Sequence, residues 1–186
     1  MERLRALDKE LLLLEHTAAA LQWDQETRMP KQAVGQRSEQ LSQLHGLMHQ
    51  RITDPETAAL LKDLGADDGR PGGDPQLDPA DQALVRHWWR ELSRMRKLPS
   101  SWVREFSELT SRAQVEWAQS RTNRDFSQFQ GTLERIIGMV RRKADYYGYQ
   151  EHPYDSLLDE YEPGLTAGRS ASLFAVLKED LRELND

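Results

Sequence analysis

The chain has 186 residues, of which 38% are hydrophobic and 30% charged, with a formal net charge of −6 at pH 7 and no cysteine. Disulfides and thiolate metal centres are therefore excluded, and a metal would need His and carboxylate ligands. Lys and Arg are dispersed among acids rather than clustered, which argues against a nucleic-acid partner, and no apolar run approaches the ~20 residues of a membrane span.

Read along the chain, the apolar residues fall at helical spacing. Leu4, Leu7, Leu11, Leu14, Ala18 and Leu21 alternate steps of three and four, which places them on one face of a first helix. Val34, Leu41, Leu44 and Met48 continue the pattern in a second, with Arg37 as a polar interruption. A short helix is expected from about Pro55 to Leu64, opened by a capping box of Thr53 with Glu56 and closed by Gly65 in the left-handed conformation.

Residues 65–79 carry Gly-Ala-Asp-Asp-Gly-Arg-Pro-Gly-Gly-Asp-Pro and read as a mobile surface loop. Helical segments of one style lie on both sides, so the loop is not expected to be a domain boundary. Asp78 followed by Pro79 supplies an N-cap with proline at the first helical position. The helix after it carries Leu84, Val85, Trp88, Trp89, Leu92, Met95 and Leu98 and stops at Pro99. Ser100 or Ser101 is expected to cap the next, which should bury Trp102, Phe106, Leu109, Ala113 and Trp117. A further helix begins near Asp125, presents Phe126, Phe129, Leu133, Ile136, Val140 and Tyr147, and ends at Gly148. Pro153 to Tyr161 reads as a short helix, Pro163-Gly164 as a turn, and Leu173, Leu177, Leu181 and Leu184 as the stripe of a last helix.

No stretch alternates with period two for long enough to be a strand, and no fixed-period repeat is present. The expectation is an all-α, antiparallel bundle-like arrangement of seven or eight helices without significant sheet. Residues 1–186 form either a single helical domain or the N-terminal segment of something larger. The last stripe runs almost to Asn185-Asp186 without the Gly or Pro that often follows a helix, which favours the second.

Few residues offer chemistry. His45 and His49 are four apart, the spacing of the two histidines in a zinc-binding His-Glu-x-x-His helix, but Gly46 stands where the general-base Glu belongs. They read as two partly exposed histidines on an amphipathic helix, and His16 and His152 as isolated. The segment Trp23-Asp24-Gln25-Glu26-Thr27-Arg28-Met29-Pro30 is a dense polar cluster. Either it faces a groove, or its acids pair with arginines of neighbouring helices. Asp155, Asp159, Glu160 and Glu162, with Tyr154 and Tyr161, form a second cluster whose carboxylates could do acid–base work or serve structure. No phosphate-binding glycine loop, serine elbow or cysteine nucleophile is found.

Two stretches resemble the carboxypeptidase Taq family of metallocarboxypeptidases. The first is Trp23 to Pro30, continuing through Arg37-Ser38-Glu39-Gln40-Leu41 to His49. The second runs from Trp117 and Arg121 through Asp125-Phe126 and Phe129 to Tyr154-Asp155, Leu157-Leu158-Asp159 and Tyr161-Glu162-Pro163-Gly164. Both are similar to the N-terminal part of that family and stand in its order. Gln119-Ser120 before Arg121, and Gly131 near a usual Pro, are departures.

The resemblance implies an all-helical, zinc- or cobalt-dependent enzyme that removes C-terminal residues from peptides, usually as a homodimer. The family's metal ligands lie on a His-Glu-x-x-His helix and a downstream Glu, beyond the matched stretches. No catalytic or metal residue is therefore assigned here, and no cofactor is expected on this chain alone. The candidate groove-facing or structural residues are Trp23, Asp24, Gln25, Glu26, Asp159, Glu160 and Tyr161. On this reading the chain is a groove wall or lid of the carboxypeptidase, inactive alone, that meets peptide only when joined to the rest. The alternative is a stand-alone helical interaction or dimerisation module. The charged start Met1-Glu2-Arg3-Leu4 has no apolar signal core after it, so a cytoplasmic location is expected.

Overall fold

The computed structural model describes residues 1–185, with the side chains at 179, 180 and 183–185 left aside; Leu184 of the last expected stripe falls among these. Eight α-helices and no strand are found among the described residues, so the all-α expectation holds. They are α1 (Glu2–Thr27), α2 (Val34–Thr53), α3 (Pro55–Asp63), α4 (Pro79–Met95), α5 (Ser100–Asn123), α6 (Ser127–Tyr147), α7 (Pro153–Leu158) and α8 (Ala167–Asn185). A single 3-10 turn, Lys31–Ala33, joins α1 to α2. The chain divides into two compact units, Met1–Ile136 and Ile137–Asp186.

In the first unit the core is built where the leucine stripe of α1 meets the end of α2, helix α3 and the middle of α4. Leu4, Leu7 and Leu11 pack with Ile52, Leu61, Ala66, Val85, Trp88, Trp89 and Leu92. Each such leucine is worth roughly 2 kcal/mol of apolar burial, so this cluster is the main source of stability in the unit. Polar links seal its edge. Trp88 Nε1 donates to Asp8 Oδ1 at 3.0 Å, and the exposed Arg5 bonds the buried Asp81 at 2.6 Å.

A different surface joins α2 to α5. Ser38, Ser42 and Gly46 recur every fourth residue of α2 and are buried, as are Ser107, Ser111 and Ala113 of α5. Small side chains bring the two backbones close enough for Ser42 Oγ to donate to the carbonyl of Arg104 at 3.0 Å. Trp102 is buried and stacks on Phe106 at 4.8 Å, but Trp117, expected in the core, is 47% exposed beneath the guanidinium of Arg121.

The helix ends follow their capping residues. Asp78 caps α4 by accepting from the N–H of Asp81, as its sequence position predicts. Helix α3 is capped by Asp54, which accepts from the N–H of Glu56, and not by Thr53. Thr53 instead returns its hydroxyl to the His49 carbonyl, because Pro55 at the first helical position makes Asp54 the preceding cap. Neither Ser100 nor Ser101 caps α5, whose N-cap is Pro99 with no side-chain bond. Gly65 and Gly148 do adopt the left-handed conformation, at φ 82° and 78°.

In the second unit Met139, Ala144 and Tyr147 of α6 and Ser156 of α7 are buried. Helix α7 ends at Leu158, short of the expected Tyr161. Asp155 fastens the N-termini of its own helix α7 and of α8: Oδ2 accepts from the N–H of His152 at 3.3 Å and Oδ1 from that of Ala167 at 2.7 Å. Leu173, Phe174, Val176, Leu177 and Leu181 of α8 are exposed.

Candidate functional site

The Trp23–Pro30 segment is divided by the turn of its own helix. Asp24 and Gln25 point to neighbouring helices; Trp23 and Glu26 do not. Asp24 Oδ2 accepts from Arg37 Nη2 at 2.7 Å, while Arg37 Nη1 donates to the Leu21 carbonyl and Nε to Gln40 Oε1 at 3.1 Å. The Arg37 side chain is only 12% exposed. The polar residue that interrupts the apolar stripe of α2 is thus turned inward onto the last turns of α1.

Gln25 is buried and uses both ends of its amide. Nε2 donates to the Ser111 carbonyl and to Gln114 Oε1, each at 2.8 Å, and Oε1 accepts from Ser111 Oγ at 2.9 Å. Trp23 by contrast is 59% exposed, with the Arg28 guanidinium 5.9 Å from its ring, and Glu26 is exposed. Of the two sequence alternatives, ion pairing with an arginine of a neighbouring helix accounts for Asp24.

An open cleft of about 700 Å³ lies between α1, α2 and α5, lined by Leu21, Gln36, Glu39, Gln40, Gln43 and Glu108 among others. A smaller one, about 240 Å³, lies beside the Arg51–Glu10 pair with Arg3, Glu56 and Leu60. Trp23, Asp24, Gln25 and Glu26 line neither. Arg51 bonds both Glu10 oxygens, at 2.8 and 2.7 Å, and holds that carboxyl below its ordinary range.

Of the two histidines read as partly exposed, His45 is half-buried as expected and His49 is buried. His45 Nδ1 lies 2.7 Å from Ser107 Oγ, and burial lowers the affinity of the ring for a proton. His49 is 5% exposed, with Nε2 3.0 Å from the carbonyl oxygens of both Met95 and Leu98 and Nδ1 3.2 Å from Ser100 Oγ. Helical spacing alone could not reveal this, because the partners come from the α4–α5 connection. The one signal was Pro99, which removes a backbone N–H at that connection.

In the second unit Glu160 is the most engaged candidate. Lys143 Nζ lies 2.7 Å from its carboxylate, and the hydroxyl of buried Tyr147 donates to Oε1 at 3.2 Å. Asp159 Oδ1 accepts from the N–H of Gly164 at 2.9 Å, which shapes the turn expected at Pro163-Gly164. Tyr161 is 85% exposed. The sequence motif therefore holds two anchored acids and one free aromatic.

Among the described residues, no group of three or more His, Asp or Glu side chains is placed to hold a metal ion.

The carboxypeptidase Taq (M32) metallopeptidase family matches residues 3–186, and the chain belongs to it. Thermostable carboxypeptidase 1 of Pyrococcus furiosus is 33% identical over 186 residues, which cover 100% of this chain and 36% of that protein. Thermostable carboxypeptidase 1 of Thermus thermophilus is 33% identical over 195 residues, covering 100% of this chain and 37% of that one. The BsuCP crystal structure superposes with a TM-score of 0.88 at 31% identity, covering 96% of this chain and 35% of the other. The chain thus spans little more than a third of the length of the relatives it matches.

Proposed function

We propose that this chain is the N-terminal helical part of a metal-dependent carboxypeptidase that removes C-terminal residues from peptides, contributing groove wall or lid and not the metal site. The observation that carries the reading is a mismatch of extent: residues 3–186 are matched by the family, yet the chain covers 36% of a full relative. The zinc or cobalt ligands then belong to the portion not matched here, and the chain alone is inactive. Trp23, Glu26 and Tyr161, exposed beside anchored neighbours, are the motif members available to face peptide or the rest of the enzyme. The whole enzyme is read as a cytoplasmic homodimer; among the described residues no helix is long and apolar enough to cross a membrane.

The test is a pair of proteins assayed for release of a C-terminal residue from a peptide with added zinc or cobalt. One is the 186-residue chain; the other is the chain joined to the unmatched remainder of the Pyrococcus relative. Activity is expected only in the joined protein. Hydrolysis by the chain alone would overturn the proposal.

The exposed apolar residues of α8 favour a second reading, a stand-alone interaction module that dimerises. Sedimentation of the chain at micromolar concentration separates the two, since a strictly monomeric chain removes the motive for the module.

A further inference from the structure

We infer that His49 is the clasp that sets the elbow between α4 and α5, and that it does so as the Nε2–H tautomer. A neutral imidazole carries one N–H and one lone pair. Nε2 faces two carbonyl oxygens, those of Met95 and Leu98, both at 3.0 Å. Carbonyl oxygens only accept, so a bare Nε2 would set three lone pairs against one another in a buried site. The hydrogen therefore resides on Nε2, shared between the two oxygens, and Nδ1 is left to accept from Ser100 Oγ at 3.2 Å.

The elbow needs such a partner. Helix α4 ends without the glycine that commonly reverses a helix, its C-cap Arg96 remaining right-handed. Helix α5 starts after Pro99, with no N–H at that residue and no side-chain cap. The hydroxyl of Ser100, a residue type well suited to capping, is turned onto His49 instead. One imidazole on α2 thus meets the end of α4 and the start of α5 together, and fixes where Leu98 and Trp102, both buried, enter the core. The pair with metal-ligand spacing is in this way split: the second member's ring nitrogens are both committed to the fold.

Long-range ¹⁵N–¹H correlation on the ¹⁵N-histidine-labelled chain reads the tautomer directly. The expected pattern for His49 is a protonated Nε2 and a bare Nδ1; the reverse would overturn the inference whatever the variants do. Amide hydrogen exchange at Leu98 and Val103, whose N–H groups bond the carbonyls of Met95 and Pro99, gives the second readout. His49→Gln can return a donor to Nε2's position, whereas the shorter His49→Asn cannot reach it. About tenfold faster exchange at the elbow is expected in His49→Asn, with rates near wild type in His49→Gln and unchanged rates at Leu7 and Leu11 of α1. Equal elbow rates in the two variants would sink the clasp, as would loss of the Nε2–H signal on adding one equivalent of zinc.

Discussion

The guanidinium of Arg104 on α5 lies across α2 where Gly46 has no side chain: its Nε is 2.6 Å from the point a Cβ would occupy. Nη1 of the same arginine donates to Gln43 Oε1 at 3.0 Å. Two effects oppose each other at position 46. Alanine gains about 1 kcal/mol over glycine in a helix interior, while the added methyl must push an arginine off its bond, a loss of about the same size.

Gly46→Ala is therefore expected to be nearly neutral in the wild-type background and stabilising by about 1 kcal/mol when Arg104 is already alanine. A urea-denaturation cycle over the two sites measures this. Equal effects of Gly46→Ala in both backgrounds would mean that Arg104 does not occupy the space.

The four consecutive residues at 23–26 should separate into two classes. Gln25→Ala strips partners from buried Ser111 and is expected to cost about 2–3 kcal/mol, and Asp24→Ala, which leaves a mostly buried guanidinium unneutralised, somewhat less. Glu26→Gln should stay within about 0.5 kcal/mol. Thermal melts of the three variants check the order, and in the joined enzyme Trp23→Ala and Glu26→Gln are the substitutions that can alter turnover without altering stability.

Acidification should weaken the α2–α5 contact through His45. Burial holds this imidazole below its ordinary value of 6.5, so in the window beneath that value the unfolded chain binds a proton that the folded chain refuses. The stabilisation is complete above pH 6.5 and is lost as pH falls through the folded value. Urea midpoints at pH 7.5 and 5.5 should differ by more in the wild type than in His45→Gln, which cannot titrate; identical differences would exclude the histidine as the source.

Asp155 offers a local test in the second unit. Its two oxygens serve the N–H groups of His152 and Ala167, at the starts of α7 and α8. Asp155→Ala is expected to cost about 1–2 kcal/mol locally. The loss should appear as faster amide exchange at residues 167–170, with the α1 core amides unaffected.

Much of this is legible in the residue pattern, and each failure has a physical reason. Leu4, Leu7, Leu11, Val85, Trp88, Trp89 and Leu92 were read as core from spacing alone and are buried. Spacing works there because large apolar side chains provide the contact. Where small residues make it, as with Ser38, Ser42, Gly46, Ser107 and Ser111, the hydrophobic period has nothing to register. Trp117, at helical spacing from buried Ala113, fits the stripe on sequence and is nevertheless 47% exposed. The cap of α3 was misplaced by one residue because Thr53 and Asp54 are both good caps and only the position of Pro55 decides. In the candidate clusters the residue types were visible in sequence. Their sorting into anchored Asp24, Gln25, Asp159 and Glu160 and exposed Trp23, Glu26 and Tyr161 depends on partners that helical spacing does not show.

The connection between α3 and α4 closes on its own stem. Ala66 N–H reaches the Leu61 carbonyl at 3.0 Å and Asp74 N–H the Leu64 carbonyl at 2.8 Å, and a methyl on Gly73 would stand 2.5 Å from that same Leu64 oxygen. Beyond the stem, Asp68 and Gly69 are exposed at the tip. The polypeptide can thus be opened there while both ends stay tied. That makes the tip a natural port for a reporter, or for new termini in a rearranged chain, with the leucine core left as it was.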